Sequence, residues 1–504
     1  MRYVSLVVLL FSCITCTAQR GNIWVFGDSA MLDINQPGVP LRSSSKGVRS
    51  SASISDNQGN LLFSVLTSVN SISGVSTSIY NRQNQIMING IGIASYSVWH
   101  SNLILKKPLS DSLYYSFGLS QITPPSPYPM GLHYSIVNPN KNGVGEVIQK
   151  NLPLQNIYAP GDILSAVKHG NGRDWWIFWR CYDGYGFDTS QINVQRNNRY
   201  YRTLLTPQGL EPISFQDIGS LSYVGGYGDL TFSKDGTKAV CCCVTGLVEL
   251  FDFDRCTGLF SNPVLINQDT IYNGKAQISC ELSPNGRFLY LSERAQSSKF
   301  YQYDLQSSNI ASSKQVLDTL VTPNVVGIAE RWVDDKIYIS NGDVAWQTGP
   351  FPDSLYIPIN TNLSVINFPD LPYPQCNYVR NGFYLNGART YVSLPNNPNY
   401  DLGVSAGSPC DTLSVGIAEN NSEENDIKIS PNPVNDNLML SYKLKYSEQG
   451  IVYIYDLLGE LVFSQQIYIS GTQLLIHTEN FQKGMYVLSV YDNGKRMNKK
   501  FVKE

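Results

Sequence analysis

The stretch Leu-Ser-Pro-Asn-Gly-Arg-Phe-Leu-Tyr, residues 282–290, decides the fold, because it repeats a pattern found fifty residues earlier without any gap. The earlier copy is Phe-Ser-Lys-Asp-Gly-Thr-Lys-Ala-Val, residues 232–240. Downstream of each copy, the stretches 250–254 and 300–304 also match in the same register. Each copy predicts a strand, a tight Asp-Gly or Asn-Gly turn, a second strand, a polar loop and a third strand. Self-similarity at a fixed period indicates a repeat architecture.

Weaker copies extend this repeat over most of the chain. Seven starts can be placed, separated by 51, 61, 66, 51, 50 and 51 residues: Ala52, Leu103, Leu164, Leu230, Glu281, Arg331 and Gly382. This period is typical of a four-stranded propeller blade, and a closed ring of blades buries sheet faces that a single blade would expose. We therefore predict an all-β fold with a seven-bladed β-propeller over residues 19–410. An open β-solenoid is the alternative, and it would show shorter and more regular periods.

The N-terminal residues predict a strand and an export signal. Residues 23–26 read as a strand without a blade of its own, which we expect to complete the last blade and close the ring. Residues 1–18 have a charged start, a short apolar middle and a small-residue end, which is typical of a signal peptide cleaved before Gln19. The alternative is a lipoprotein in which Cys13 or Cys16 carries the lipid.

Two parts of the repeat region resemble known propellers. Residues 283–290 resemble the repeat of WD-like, YVTN-type and lactonase-type propellers. Residues 24–28 and 166–176 are similar to a set of uncharacterised propeller proteins secreted by Bacteroidetes. These resemblances imply a fold and no activity, because one fold hosts many functions.

The C-terminal residues predict a separate small domain. Residues 411–426 are polar and lack strand alternation, so they read as a linker. Alternation resumes over residues 427–504, where several short strands separated by turns predict a small β-sandwich.

This domain resembles the type A sorting domain of the type IX secretion system, through the blocks Ile-Ser-Pro-Asn-Pro (429–433), 452–459, 484–488 and the lysine-rich end. The resemblance implies export across the outer membrane, with the secretion machinery as a partner and possible attachment of the product to surface lipopolysaccharide. The residues that would carry the sorting signal are Pro431, Asn432, Pro433, Gly459, Gly484, Tyr486, Lys499, Lys500 and Lys503. We expect the Pro-Asn-Pro to form the entry turn, because proline cannot sit in a central strand.

Composition and motifs limit the chemistry. Charged residues make up 15% of the chain and the formal net charge is −3, so no basic stripe is expected to bind nucleic acid. The Gly-Asp-Ser at 27–29 is similar to the nucleophile block of an esterase family, but no histidine follows an Asp by three residues, as that family requires. We predict no catalytic residues, no metal and no cofactor. For the cysteines we propose one disulfide, Cys376 with Cys410.

One patch combines aromatic and polar residues in the way that ligand surfaces do. Its members, which we predict as a ligand-binding surface for a glycan or a protein, are His169, Arg173, Asp174, Trp175, Trp176 and Trp179. Aromatic rings stack on the apolar faces of sugars while polar groups set orientation, although large aromatics also fill the space between blades.

Together these features predict a protein exported to the cell surface or the medium, with the propeller acting as a binding module of unknown ligand rather than as an enzyme. The alternative is a propeller hydrolase of lactonase-like or glycan-cleaving type. An enzyme would show converging carboxylates in the central channel, whereas a binding module would show exposed aromatics on one rim.

Overall fold

The computed structural model describes residues 19–36, 41–47, 49–70, 74–95, 99–120, 131–155, 160–181, 197–222, 228–243, 246–268, 275–343, 356–411, 427–444, 448–456, 460–492 and 495–504. The predicted signal peptide, nearly all of the predicted linker and Gly459 lie outside these residues. The chain divides into two compact units, Met1–Leu413 and Ser414–Glu504. We call them the repeat unit and the C-terminal unit. Within the described ranges, no helix is long and apolar enough to cross a membrane.

The repeat unit starts with a pair of antiparallel strands and continues with sheets built from strands that are consecutive in the chain. The pair is β1 (Ile23–Asp33) and β2 (Leu41–Gly47). The first sheet group is β3 (Ser51–Ser55), β4 (Leu61–Asn70), β5 (Gly74–Asn81) and β6 (Ile86–Ile91). The second is β7 (Asn102–Lys106), β8 (Tyr114–Ser120), β9 (Gly131–Asn138) and β10 (Glu146–Gln155). A single parallel pairing of β6 with β10 joins these two groups into one eight-stranded sheet.

Four more sheet groups follow in chain order. The third is β11 (Pro160–Lys168), β12 (Trp175–Cys181), β13 (Asn197–Thr206), β14 (Gly209–Leu210) and β15 (Ser214–Ser222). The fourth is β16 (Gly228–Phe232), β17 (Lys238–Cys243), β18 (Val248–Asp254) and β19 (Leu259–Asn267). The fifth is β20 (Ala276–Leu282), β21 (Phe288–Arg294), β22 (Ser297–Asp304) and β23 (Gln315–Val321). The sixth includes the small pair β24 (Asn324–Val325) and β27 (Gly342–Asp343), together with β25 (Ala329–Arg331), β26 (Ile337–Ile339), β28 (Asn362–Ile366) and β29 (Tyr378–Tyr384).

Helical segments in the described residues are single turns. They are two 3-10 turns and one α-helical turn: Lys141–Gly143, Ala311–Ser313 and α1 (Pro358–Thr361). The fold is therefore all-β, as the sequence predicts.

The repeated turn has the conformation that its residues predict. In the fourth group, Ser233 Oγ donates to Asp235 Oδ1 at 2.6 Å, and Gly236 follows with a φ of 71°. Fifty residues later, the serine of the next copy donates to the Asn285 side chain at 2.8 Å, and Gly286 has a φ of 70°. Both glycines adopt the left-handed region that other residues avoid, so the two copies form the same turn.

The first strands of the groups lie side by side. Contacts join β3 to β7, β7 to β11, β11 to β16, β16 to β20 and β20 to β25, so the arrangement is propeller-like. Six of the seven predicted repeat starts lie in these six strands. The seventh differs, because Gly382 lies in β29, which is the last strand of the sixth sheet and not the first strand of a new one.

The N-terminal strand lies against the end of the repeat unit. In β1, the backbone of Asp28 exchanges hydrogen bonds of 2.8 and 3.2 Å with that of Arg389. The Trp24 ring lies 5.5 Å from that of Trp332, in the sixth group. The first strand therefore meets residues that follow the sixth group, and its completion of a last blade that closes the ring stays a prediction. Asp28 belongs to the Gly-Asp-Ser motif, and its carboxylate lies 3.3 Å from the Arg389 guanidinium in an ion pair.

After this pairing, residues 395–411, which we call the strap, cross from the first group to the fourth. The strap begins where Pro395 bridges to Ser51. Midway, the Tyr400 hydroxyl donates to the carbonyl of Ile104 at 2.9 Å. The strap ends in a disulfide between Cys256 and Cys410. The Asn396 side chain also donates to the Leu164 carbonyl of the third group, so the strap is held by four different sheet groups.

The predicted disulfide between Cys376 and Cys410 was wrong. Cys376 is a free, buried thiol in a hydrophobic cluster of the fifth and sixth groups. Cys410 pairs with Cys256 because the strap carries it to the β18–β19 turn of the fourth group.

The C-terminal unit consists of two antiparallel sheets that share one hydrophobic cluster. Its strands are β30 (Ile427–Ser430), β31 (Asn437–Tyr442), β32 (Gln449–Tyr455), β33 (Leu461–Tyr468), β34 (Gln473–His477), β35 (Gly484–Asp492) and β36 (Lys495–Lys503). The strand order is β30-β31-β34 in one sheet and β33-β32-β35-β36 in the other. Alternate side chains of these strands are buried, as the sequence alternation predicts.

Candidate ligand cavity

A cavity of about 320 Å³ lies among the first strands of the repeat unit. Its wall is completed by strap residues 396–402. The volume is at the lower end of the range for small-molecule sites. Polar and aromatic residues that line it include Trp24, His100, Asp229, Lys234, Glu281, Glu330, Trp332, Asp335 and Asn397.

His100 lies between two carboxylates in the wall of this cavity. Its Nδ1 is 3.0 Å from Oδ1 of Asp229, and its Nε2 is 3.0 Å from Oε1 of Glu330. Each member comes from a different sheet group: His100 just before β7, Asp229 in β16 and Glu330 in β25. The ring is therefore placed to carry a proton on each nitrogen and to face an acceptor on both sides.

The environment shifts the pKa values of this cluster. Burial alone would lower the pKa of His100, but the charges and hydrogen bonds of the two carboxylates raise it well above its usual value. Burial raises the pKa of Glu330 to about 7, even though the neighbouring histidine opposes the shift. Glu330 therefore changes its charge near neutral pH, while His100 stays protonated.

The other buried carboxylates are fixed by backbone groups of the next repeat. Oδ2 of Asp229 accepts from the backbone N–H of Cys280 at 3.0 Å. The Glu281 carboxylate accepts from the backbone N–H of Arg331 at 3.0 Å. These bonds link residues about one repeat apart, so they tie neighbouring first strands together. Asp229 and Glu281 are therefore held in place. Among the described contacts, the Glu330 carboxylate has no such hydrogen bond from a backbone N–H.

The rim of the cavity balances its charges. Lys234 Nζ lies 2.7 Å from Oδ2 of Asp335, and both side chains are about half exposed. Asn399 of the strap donates to the Lys234 carbonyl at 2.9 Å. These two rim residues therefore neutralise each other, as His100 and its carboxylates do in the wall, whereas no ion pair is described for the lining residues Glu281, Arg331 and Asp401. Throughout the described ranges, no group of three or more His, Cys, Asp or Glu side chains is placed to hold a metal ion.

The predicted aromatic patch lies at the start of β12, beside the end of the strap. Trp175 is 2% exposed and packs against Tyr400, while Trp179 is 0% exposed. Both rings fill space inside the repeat unit, which leaves no face open for stacking. Trp176 is half-buried, and its Nε1 donates to the Arg255 carbonyl at 2.9 Å.

The polar members of the patch form the β11–β12 turn. The guanidinium of Arg173 donates to the buried Asp174 carboxylate at 2.8 and 2.9 Å. His169 lies with Nε2 3.0 Å from the carbonyl of Cys256. These contacts give each member a structural partner, and a ligand-binding role for the patch stays a prediction.

Sequence reasoning missed His100, Asp229 and Glu330. A weak signal was present, because Asp229 and Glu330 are acids within predicted first strands of the repeat. Their convergence with a histidine more than a hundred residues away could be seen only in three dimensions.

In the C-terminal unit, Asn432 joins the entry turn to the last strand. Its side chain donates to the Lys500 carbonyl at 3.1 Å and accepts from the Val502 backbone N–H at 2.9 Å. Val434 then bridges in parallel to Lys503. The flanking Pro431 and Pro433 are exposed and lie outside any strand, as predicted.

The remaining predicted sorting residues occupy different environments. Tyr486 is buried and stacks on Phe501, with ring centroids 5.5 Å apart. Gly484 opens β35 opposite Lys503, with a φ of 157°. Lys500 is exposed, Lys499 is half-buried and Lys503 is buried, so the lysine-rich end is not a uniformly solvated surface.

Comparison with known proteins identifies part of the chain. A family model described as the secretion system C-terminal sorting domain matches residues 428–504. A comparison with curated protein sequences gives no significant match.

Solved structures give weaker likenesses. A proposed 6-phosphogluconolactonase from Bacteroides fragilis is 10% identical, covering 74% of this chain and 96% of that one, with a TM-score of 0.42. A periplasmic gluconolactonase from Pseudomonas aeruginosa is 12% identical, covering 74% and 98%, with a TM-score of 0.41. A β-propeller domain from Myceliophteria thermophila is 10% identical, covering 64% and 92%, with a TM-score of 0.35. At these scores the likenesses carry no argument about activity.

The sorting domain indicates delivery to the outside of a Bacteroidetes cell. The chain thus carries, at residues 428–504, a C-terminal sorting domain of the type IX secretion system, and it is a secreted or cell-surface protein.

Proposed function

We propose that the exported chain binds a small, neutral, polar molecule of about the size of one sugar ring in the central cavity. The observation that carries this proposal is the placement of His100 between Asp229 and Glu330 in the cavity wall. Hydrogen-bonding groups held rigidly by several sheets are what a specific polar ligand requires.

The chemistry of the lining supports a neutral ligand. His100 lies between two carboxylates and Lys234 pairs with Asp335, so much of the charge in the wall is compensated by the wall itself, which supports a neutral ligand. Trp24 and Trp332 add aromatic surface, and strap asparagines add amide donors and acceptors. Aromatic rings combined with carboxylates and amides suit a molecule that has both apolar C–H faces and hydroxyl groups, as sugars and their lactones have.

The finer architecture belongs to the same proposal. We propose that β1, β2 and residues 385–395 form the seventh blade of a seven-bladed propeller, next to the six sheet groups described above. In the C-terminal unit, the two sheets with one shared core support a β-sandwich. The boundaries proposed are a signal peptide over 1–18, the propeller over 19–410, a linker over 411–426 and the sorting domain over 427–504. Attachment of the mature protein to surface lipopolysaccharide remains a prediction.

A second candidate function is hydrolysis of such a ligand. Glu330, with a pKa raised to about 7, would be part protonated near neutral pH and could act as a general acid. Converging carboxylates are the feature expected of an enzyme, and Asp229 and Glu281 are further acids in the same wall. Since Asp229 and Glu281 are both fixed by backbone hydrogen bonds, the binding role is the better supported of the two.

The test is a binding screen on the mature full chain beginning at Gln19. Probes are neutral monosaccharides, aldonolactones and, as charged counterparts, the corresponding aldonic and uronic acids. A ligand at one hundred times its Kd stabilises the folded state by about 2.7 kcal/mol, which a thermal-shift assay detects. Proton NMR of the same mixtures shows whether the ligand is converted.

Matched variants separate the outcomes. Glu330→Gln should weaken binding at least tenfold, while Glu146→Gln, on the distant strand β10, should not. Binding without conversion supports the binding role, and conversion that Glu330→Gln abolishes supports the hydrolase. Preference for the charged probes, or equal binding by Glu330→Gln and wild type, would contradict the proposal.

A further inference from the structure

The sorting domain has two solvent faces of different character. The sheet β33-β32-β35-β36 turns one set of alternating side chains into the core and the other set outward. The outward set is mostly apolar, and we call it the outer apolar face. Its apolar or aromatic members are Ile451, Tyr453, Tyr455, Leu461, Tyr468, Met485, Val487, Tyr491 and Val502, and its polar members with a described side chain are Gln449, Ser464, Gln466, Ser489, Asn498 and Lys500.

Three of the aromatic members form one connected group. The Tyr453 ring lies 5.6 Å from that of Tyr491 in an edge contact, and 6.1 Å from that of Tyr455. Around them, Ile451, Met485 and Val502 are 39%, 41% and 37% exposed. Exposed apolar side chains that are contiguous, rather than scattered, mark interaction surfaces.

The opposite sheet, β30-β31-β34, presents mostly polar side chains to solvent. Its outward positions are Lys428, Ser430, Asn437, Met439, Ser441, Gln473, Leu475 and His477. Only Met439 and Leu475 interrupt this polar set. The mostly apolar outward surface is therefore found on the sheet β33-β32-β35-β36 and not on the opposite sheet.

The C-terminal part of the β36 edge, from Lys500 to Lys503, is covered by the entry turn. Val434 pairs with Lys503. The Asn432 side chain donates a hydrogen bond to the Lys500 carbonyl and accepts one from the Val502 backbone N–H. A partner that added a strand here would have to displace this segment. Recognition through the face of the sheet requires no such displacement.

We propose that the outer apolar face is the surface by which the sorting domain docks on the outer-membrane export machinery, against an apolar patch with an acidic rim. The partner follows from the family of this domain, whose role requires contact with that machinery. The acidic rim follows from charge: Lys500 lies on this face, and no outward position of its four strands with a described side chain is an acid. This inference rests on the sorting domain and not on the ligand proposed for the cavity.

The test measures export of the full chain in a Bacteroidetes strain with an active type IX system. Met485→Glu places an acid on the outer apolar face, and Leu475→Glu places the same acid on the opposite sheet at a similar exposure, 46% against 41%. We expect Met485→Glu to reduce the fraction in the medium and on the cell surface at least tenfold, with the protein retained in the periplasm. Leu475→Glu should be exported like wild type.

Lys500→Glu tests the charge without disturbing the apolar side chains, and it should also reduce export. Thermal melting of each purified full chain shows that the variant is folded. Export of folded Met485→Glu and Lys500→Glu at the wild-type level would overturn the proposal, as would equal loss of export in folded Leu475→Glu. Ligand binding by the retained protein is a separate readout, so failure of the cavity proposal would not be confused with failure of this one.

Discussion

Removal of the Cys256–Cys410 disulfide should lower the stability of the repeat unit by a calculable amount. The bond closes a loop with a sequence separation of 154 residues. The chain-entropy relation gives about 17 cal/mol/K for a loop of this length, or about 5 kcal/mol at 25 °C. This loop is long because the strap follows the sixth sheet group in the chain and returns to the fourth.

The change in melting temperature follows from the size of the unit. Unfolding entropy is about 2.1 cal/mol/K per residue, so a unit of roughly 400 residues has an unfolding entropy of about 0.8 kcal/mol/K. A loss of about 5 kcal/mol therefore lowers the Tm by about 6 °C. The strap keeps its other contacts, such as Tyr400 with Ile104, so the fold itself should persist.

The assay is differential scanning calorimetry of the mature chain carrying Cys256→Ser and Cys410→Ser together. Non-reducing peptide mapping of the wild type should recover a peptide pair that joins Cys256 to Cys410. Wild type treated with a reductant should melt like the double variant. A double variant that melts within 1 °C of the oxidised wild type, or a mapped bond from Cys410 to Cys376, would refute the reasoning.

Two further predictions concern the cavity and the sorting domain. Burial raises the pKa of Glu330 to about 7 in the folded state, whereas the unfolded chain loses this proton near pH 4.5. The contribution of Glu330 to the free energy of unfolding is therefore greatest at low pH and falls as the pH rises toward 7. The Tm of wild type relative to Glu330→Gln should therefore fall between pH 5 and pH 7, and a difference that is constant or rises with pH would contradict the assignment. Replacement of Asn432 by Ala removes two hydrogen bonds to β36 and should cost about 1–2 kcal/mol in denaturant unfolding of the C-terminal unit, whereas Asn435→Ala serves as a control in the same loop. Equal stability of the two variants would show that the Asn432 side chain does not hold the last strand.

Several features were predictable because they depend on residues close together in the chain. The turn at Ser233–Gly236 and its copy at Ser283–Gly286 follow from local hydrogen bonds and from the left-handed freedom of glycine. The sorting domain was predictable for a similar reason, since its motif blocks and strand alternation are local patterns. The six first strands were placed by the repeat period alone.

Features that depend on which repeats meet were not predictable from those patterns. The position of Gly382 illustrates this, because residues after it return to pair with β1 rather than beginning a separate sheet. The aromatic residues Trp175 and Trp179 read equally well as surface or core, and only packing against neighbouring strands and the strap showed them to be buried.

The sequence by itself therefore determined the all-β repeat, its turns and the export signal at the C-terminus, because each depends on side chains within one repeat or one domain. Only the tertiary structure decided the disulfide partner of Cys410 and the cluster of His100, Asp229 and Glu330. The physical reason is that these contacts join residues more than a hundred positions apart, whose meeting depends on how the strap crosses the sheets and how the first strands align around the cavity.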